Sequence, residues 1–148
     1  HIKNFGTLSP IPGFTEWFSY LEDSKIKNIL TDFKDKDLSF LKSKNLKIGD
    51  NKIVEHKEAL IKLVTHYIVN EKNKDGLPMN DVCRFHLGNG AIVEDIVINA
   101  NISEQGFKRS YGVMINYLYE LNNIEKNHED YMNDKKVIVS DKIKKYTK

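Results

Sequence analysis

Residues 2–21, IKNFGTLSPIPGFTEWFSYL, decide the fold. Residues 2–8 alternate between apolar and polar side chains, which predicts a β-strand. Residues 9–13, Ser-Pro-Ile-Pro-Gly, follow with two prolines and a glycine within four positions, a composition that predicts a rigid turn. Residues 14–21 predict a short helix, because apolar side chains recur on one helical face (Phe14, Trp17, Phe18 and Leu21).

Helical signals dominate the next part of the chain. Residues 22–54 are rich in Lys, Asp, Asn and Ser, and we interpret this range as a variable insertion of short surface helices and loops. Residues 57–70 predict an amphipathic helix, because their apolar side chains fall on one face (Leu60, Leu63, Val64, Tyr67 and Ile68). Residues 73–78 predict a loop.

The second half mixes strand and helix signals. Residues 82–86 predict a short strand, Asn89-Gly90 is typical of a hairpin turn, and residues 91–99 predict another strand. Ser103 predicts a helix cap, and the spacing of later apolar residues predicts a helix through residues 110–119. Residues 137–139 predict a last short strand before a helix capped by Ser140. The mixture predicts an α+β (mixed α/β) domain.

Composition narrows the class of protein. A chain of 148 residues with 40% hydrophobic types has the size and the apolar content of one globular domain. The net charge is only +2 and the lysines are scattered, which argues against a nucleic-acid partner, although some positive surface suits an anionic ligand. Because the first residue is His1 and not Met, we expect the chain to start inside a fold.

The single cysteine excludes an internal disulfide framework and a cysteine-based zinc site. Apolar neighbours favour a core position for Cys83 over a nucleophile. No histidine has partners at metal-ligand spacing, so we expect no metal site. No apolar run approaches the length of a membrane span. We therefore expect no membrane partner and a cytoplasmic location.

Three places carry residues that chemistry commonly uses. Ser9 follows a strand on a rigid turn, where it would either react or simply bond a turn amide. His86, at the edge of a glycine turn, would either transfer a proton near neutral pH or bond a backbone carbonyl. Gly112 costs about 1 kcal/mol inside a helix and suggests close approach of another group, while Asn116 and Tyr119 are spaced to share a helical face. The residues alone leave both interpretations open.

Three separated motifs, in one order, resemble the malonyl-CoA decarboxylase family. They are LSPIPGF at residues 8–14, FHL with NGA between residues 85 and 91, and GVM with NYLY between residues 112 and 119. The resemblance covers nearly the whole chain and is weakest over residues 22–54. It implies a catalytic domain with a GNAT acyltransferase-like fold, incomplete at its N-terminal side and preceded by a helical N-terminal domain.

The resemblance also implies an activity and a set of residues. Members convert malonyl-CoA to acetyl-CoA and CO2 through a thioester enolate, with no cofactor. The catalytic positions of the family fall on Ser9, His86 and Tyr119, with His86 expected to donate the proton. We expect Asn116, together with Pro10 and Gly13, to contact the substrate. We further expect a homo-oligomer that assembles through the N-terminal helical domain.

Two departures from the family pattern keep alternatives open. Ile98 and Asn101 stand where the family usually has Trp and Asp, and the glycine-rich pyrophosphate loop of the family lies upstream of the serine motif, so we expect this chain alone to bind CoA poorly. A CoA-dependent acyltransferase of GNAT type and a non-catalytic truncated domain are the alternative functions.

Overall fold

The computed structural model describes residues 4–34 and 36–148. Three strands form one antiparallel sheet in the order β1-β3-β2: β1 (Asn4–Ser9), β2 (Ile92–Val97) and β3 (Met114–Glu120). The helices are α1 (Phe14–Ser19), α2 (Asp23–Ile29), α3 (Asn51–Glu55), α4 (Lys57–Asn70), α5 (Asp81–Gly88), α6 (Glu104–Ser110), α7 (Ile124–Asp134) and α8 (Asp141–Lys144), with a short 3-10 helix at Ser39–Lys42. The predicted α+β class is confirmed.

The opening strand and turn follow the prediction. β1 pairs with β3 along its whole length, from Asn4 opposite Glu120 to Ser9 opposite Ile115. Ile2 and Lys3, the first predicted strand residues, lie outside the described residues. Gly13 ends the turn with a φ of 89°, a left-handed conformation that favours glycine, and α1 begins at the next residue.

α4 has the predicted bounds and forms the centre of the core. Leu63, Val64 and Ile68 are fully buried on its inner face. Lys62 is also buried, and its ammonium group donates to the backbone carbonyls of Tyr146 (2.7 Å) and Lys148. The C-terminal residues are thereby tied to α4. Among the described residues, no helix is both long enough and apolar enough to span a membrane.

The strand predicted at residues 82–86 is wrong, because this segment lies in helix α5. The Asn80 side chain accepts a hydrogen bond from the Cys83 backbone at 2.9 Å and caps the helix. Cys83 and Leu87, four residues apart, form the buried helical stripe. The predicted hairpin at Asn89-Gly90 is also wrong: the two residues end α5, and Gly90 has a φ of 91°.

The helix predicted through residues 110–119 is wrong from Tyr111 onward. α6, capped by Ser103 as predicted, ends at Ser110, where Tyr111 and Gly112 take left-handed conformations. The strand β3 follows, and its alternate side chains Ile115, Tyr117 and Tyr119 are buried. The helical spacing misled because the outward-facing Met114 and Leu118 are apolar too, so that apolar residues also recur at three- and four-residue intervals.

The remaining segments follow the prediction in part. Residues 22–54 hold α2, the 3-10 helix and α3, and they bury apolar side chains in the core, among them Ile26, Leu30, Leu38, Leu41 and Ile53. Whether this range is an insertion stays a prediction. Residues 137–139 form only a parallel bridge, between Val139 and Val93, and not a full strand. Ser140 precedes α8, but its hydroxyl donates to the Glu94 carbonyl at 2.6 Å.

Candidate active site

Ser9, His86 and Tyr119 meet in one continuous chain of hydrogen bonds. The Ser9 Oγ atom lies 3.0 Å from Nε2 of His86. The Nδ1 atom of the same imidazole lies 2.6 Å from the Tyr119 hydroxyl. Ser9 and Tyr119 are buried, at 6% and 8% exposure, and His86 is half-buried. Hydroxyl, imidazole and phenol in series form a path along which a proton can move.

Each of the three residues stands at a defined point of the fold. Ser9 is the last residue of β1, and Tyr119 lies on the adjacent strand β3. The strand pairing sets Ser9 opposite Ile115, so that Ser9 and the alternate residues of β3 face the same side of the sheet. The helix α5 brings His86 to that side.

Asn80 connects the turn after Ser9 to the helix α5, and it was not predicted from the sequence. Its carboxamide oxygen caps α5 by accepting a hydrogen bond from the Cys83 amide, three residues further along the chain. Its Nδ2 atom donates to the Pro12 carbonyl at 2.9 Å. The side chain is only 2% exposed. One buried amide therefore holds the turn that follows Ser9 against the helix that carries His86. An asparagine directly before an acidic residue and an apolar run is a capping signal that points to this position.

Aromatic side chains contact His86 and Tyr119, and they were not predicted from the sequence either. The Tyr117 ring is stacked on His86 with 4.3 Å between ring centroids and 22° between planes. Phe85 meets the imidazole at 5.2 Å in an edge-on arrangement. Phe5 is stacked on Tyr119 at 4.8 Å. Alternation along β3 could have indicated that Tyr117 shares a face with Tyr119, had the strand been predicted.

Burial controls the ionisation of the site. It lowers the pKa of His86 below its ordinary value of 6.5, which favours the neutral imidazole. Burial raises the pKa of Tyr119, and a hydrogen bond with the Asn89 side chain partly offsets this rise. Burial also raises the pKa of the Cys83 thiol to about 12, which agrees with the predicted core position and not with a nucleophile.

The predicted substrate-contacting residues are not gathered at one place. Pro10 adjoins Ser9 in the turn and is half-buried. Gly13 is the N-terminal cap of α1, and a Cβ atom there would lie 3.1 Å from the Tyr67 hydroxyl. Asn116 does not share a face with Tyr119, because the two residues lie three apart on a strand and point to opposite sides of the sheet. Its carboxamide lies against Gly6.

In the described parts of the chain, no three His, Cys, Asp or Glu side chains come together in a way that could hold a metal ion.

A family model described as "Malonyl-CoA decarboxylase C-terminal domain" matches residues 1–148. The chain belongs to this family. Among curated relatives, the mitochondrial malonyl-CoA decarboxylase of Rattus norvegicus is 30% identical over 97% of the chain, and that of Mus musculus is 31% identical over 94% of it. Each match covers 32% of the relative, so the chain spans about a third of the length of these malonyl-CoA decarboxylases.

Crystal structures of malonyl-CoA decarboxylases have the same fold. The enzyme of Rhodopseudomonas palustris matches 97% of the chain with a TM-score of 0.80 and 30% identity, over 33% of its own length. That of Agrobacterium vitis matches 99% of the chain with a TM-score of 0.79 and 33% identity, over 36% of its own length.

The structure shows what Asn101 does at the position where the family pattern usually has Asp. The Oδ1 atom of Asn101 accepts hydrogen bonds from the Ser103 amide (3.1 Å) and the Ser103 hydroxyl (2.7 Å). Ser103 in turn caps α6 through the Gly106 amide at 3.0 Å. A carboxamide oxygen accepts these bonds as a carboxylate oxygen would, so Asn101 preserves the start of α6 without the charge. Ile98 packs against the core.

Proposed function

We propose that this domain carries part of the active site of a malonyl-CoA decarboxylase, which converts malonyl-CoA to acetyl-CoA and CO2. The observation that carries the proposal is the hydrogen-bonded series of Ser9, His86 and Tyr119 in a chain that belongs to the family. The whole reaction requires the complete protein, since the chain spans about a third of its relatives.

The chemistry needs no metal or organic cofactor. When the bond to the carboxylate breaks, its electron pair moves into the thioester, which becomes an enolate, and CO2 leaves. The enzyme must then supply a proton to the α-carbon and keep water from the carboxylate and the enolate. The buried Ser9 hydroxyl and the aromatic side chains around His86 suit both tasks.

The proton path runs from Tyr119 to Ser9. We infer that the Tyr119 hydroxyl donates to Nδ1 of His86, so that the neutral imidazole keeps its proton on Nε2 and donates it to Ser9 Oγ. The Ser9 O–H is then free to point at the substrate. His86, expected above to be the proton donor, acts here through Ser9, because its Nε2 atom bonds the Ser9 hydroxyl. As Ser9 gives its proton to the carbon, His86 replaces it from Nε2 and Tyr119 protonates Nδ1. Solvent water restores the protons afterwards.

Substitution of the two central residues tests the proposal. Ser9→Ala and His86→Ala in the complete protein should each lower kcat by ~10²–10⁴-fold, the usual contribution of a general acid or base. Because both act in one relay, the double variant should lose less than the product of the single losses. Ser19→Ala, at an exposed serine whose hydroxyl bonds only a helical carbonyl, is the matched control. Near-normal turnover by Ser9→Ala would contradict the assignment.

The remaining expectations about the complete protein stay proposals. Malonyl-CoA is the proposed substrate because the curated relatives are named malonyl-CoA decarboxylases. A homo-oligomer formed through an N-terminal helical domain is tested by the mass of the complete protein in solution. The expected cytoplasmic location differs from the mitochondrial location that the names of the curated relatives give.

A further inference from the structure

Tyr117 lies directly beneath the catalytic imidazole and has no part in the relay. It stands at the centre of the sheet, on the middle strand, opposite Thr7 of β1 and Val93 of β2. It is fully buried, and its ring covers one face of His86 at 4.3 Å and 22°. Stacked contacts at this distance are favourable, and they depend on the orientation of the two planes.

The stacked contact supplies a restraint that the two hydrogen bonds do not. Ser9 and Tyr119 hold opposite nitrogens of the imidazole, and these two bonds by themselves do not prevent rotation of the ring about the axis that joins Nδ1 and Nε2. Such rotation bends both hydrogen bonds out of the ring plane, where they weaken. A flat, immobile ring against one face prevents it.

We propose that Tyr117 is a positioning residue, whose ring holds the His86 imidazole in the plane that serves both Ser9 and Tyr119. This inference rests on the proposed function and deepens it. The ring, and not the hydroxyl, carries the effect, because the ring is stacked on His86 whereas the hydroxyl interacts with the buried Cys83 thiol, outside the relay. A phenylalanine at this position would present the same face to His86.

The pKa of His86 distinguishes a positioning role of Tyr117 from a merely structural one, because it depends on the groups that surround the imidazole. The groups that face it are Ser9 from β1, Tyr117 and Tyr119 from β3, and Phe85 on its own helix, while His128 of α7 bonds the Gly88 carbonyl at the end of that helix. Burial by these groups lowers the pKa of His86. Removing the Tyr117 ring admits water to the imidazole, so its pKa should rise toward the ordinary value of 6.5.

The experiment compares Tyr117→Phe, Tyr117→Leu and Tyr117→Met in the complete protein, with Tyr111→Leu as the matched control. Tyr111 is a buried tyrosine of the same core whose ring contacts are with Phe14, Phe18 and Phe107 and not with His86. Steady-state kinetics with malonyl-CoA as a function of pH gives kcat and KM. NMR of the histidine ring nitrogens gives the pKa and the tautomer of His86 without any need for turnover.

The expected result separates ring from hydroxyl. Tyr117→Phe should keep kcat, the acid limb of the pH profile and the NMR signature of His86. Tyr117→Leu and Tyr117→Met should lower kcat on the order of 10²-fold, as a small misplacement of a reacting group does, with little change in KM. In both, the acid limb and the His86 titration should move toward 6.5. Tyr111→Leu should leave the His86 titration in place.

Two results would overturn the inference. The first is a Tyr117→Phe protein that loses activity, which would show that the hydroxyl matters. The second is an unchanged His86 titration in folded Tyr117→Leu or Tyr117→Met; Met keeps most of the side-chain volume if Leu prevents folding. Failure of the proposed function looks different, because then the unaltered protein would form no acetyl-CoA while the NMR comparison would still report on Tyr117.

Discussion

Both ring nitrogens of His86 are engaged, and their partners decide which of them carries the proton. A neutral imidazole donates from one nitrogen and accepts at the other. Tyr119, whose pKa is raised by burial, is protonated at rest and donates a hydrogen bond to Nδ1 across 2.6 Å. The Nε2 proton then points to Ser9. In the proposed relay, Tyr119 therefore sets the tautomer of His86 and, through it, the direction of the hydrogen bond between His86 and Ser9.

Replacing the rear donor tests this direction. Tyr119→Phe keeps the ring and its stacking on Phe5 but removes the hydroxyl that supports Nδ1. We expect kcat to fall by ~10²-fold or more, toward the value of a lost general acid, with KM nearly constant. The check is steady-state kinetics beside Tyr20→Phe, a control at a tyrosine that is 81% exposed. Equal kcat for Tyr119→Phe and the unaltered protein would remove Tyr119 from the relay.

At the scale of elements, α5 is the part on which the site depends. Its first turn is fixed by Asn80, and its last turn is held by α7, where the His128 ring lies 2.6 Å from the Gly88 carbonyl. Both ends of an eight-residue helix are thus attached to other elements. His86 lies two residues before the second attachment, so a shift of α5 moves the imidazole away from Ser9.

The cap of α5 yields a prediction about stability. Asn80→Ala removes the bond to the Cys83 amide and leaves the carbonyl of the half-buried Pro12 without its donor, so the free energy of unfolding should fall by about 2–4 kcal/mol. Asn80→Asp keeps the cap but loses the donor, and its loss should be smaller than that of Asn80→Ala. Urea unfolding followed by fluorescence of Trp17, the one tryptophan of the chain, measures both. A near-neutral Asn80→Ala would refute this account of the cap.

The end of α5 offers a matched pair of glycines. Gly90 has a φ of 91°, and a Cβ atom there would lie 2.5 Å from the Ile124 carbonyl oxygen, a backbone atom that cannot rotate away. Gly90→Ala should therefore destabilise the chain by about 2–4 kcal/mol, from the strained conformation and the overpacking together.

Gly88 is the control, because it is helical and a Cβ atom there meets nothing within 4 Å. Gly88→Ala should be neutral or slightly stabilising, since alanine loses less conformational freedom on folding than glycine. Equal urea midpoints for Gly90→Ala and Gly88→Ala would show that α5 and α7 do not approach as closely as the structure has them.

The same elements show how far the sequence could be followed. β1, its turn, α1 and α4 were predictable, because prolines and a single apolar stripe allow one interpretation. α5 and β3 were predicted wrongly, because their short apolar runs fit both the helical and the strand period. Tertiary packing decides between the two structures. The resemblance nevertheless brought Ser9, His86 and Tyr119 together. Asn80 and Tyr117 depend on contacts between residues far apart in the chain, which local patterns do not contain.

At the scale of the whole molecule, the site exists only in the folded state. Ser9 and His86 lie 77 residues apart in the chain, and His86 and Tyr119 lie 33 apart. Burial of His86 therefore belongs to the native state alone, as does that of His66, whose pKa burial also lowers although its bond to Glu71 partly opposes the shift. Acidification should consequently act on stability through both histidines.

The sign of the pH dependence follows from proton binding. In the unfolded chain both histidines titrate at their ordinary value of 6.5, and in the native state they titrate lower. Between the two values the unfolded chain binds more protons, so stability is complete above 6.5 and declines as the pH falls through the folded pKa values. Thermal unfolding from pH 7.5 downward should show this decline, reduced in His66→Gln. A melting temperature that rises on acidification below pH 6.5 would contradict it.

The proposed decarboxylation, with a proton delivered through Ser9, is tested most directly by the mass of the product formed in heavy water. The complete protein is incubated with malonyl-CoA in D2O, and the thioesters are analysed by mass spectrometry. Because the proton reaches the α-carbon from exchangeable groups, we expect acetyl-CoA that carries one deuterium in its methyl group, formed slowly or not at all by the Ser9→Ala protein. Unchanged malonyl-CoA, or an equal rate of acetyl-CoA formation by the Ser9→Ala protein, would contradict it.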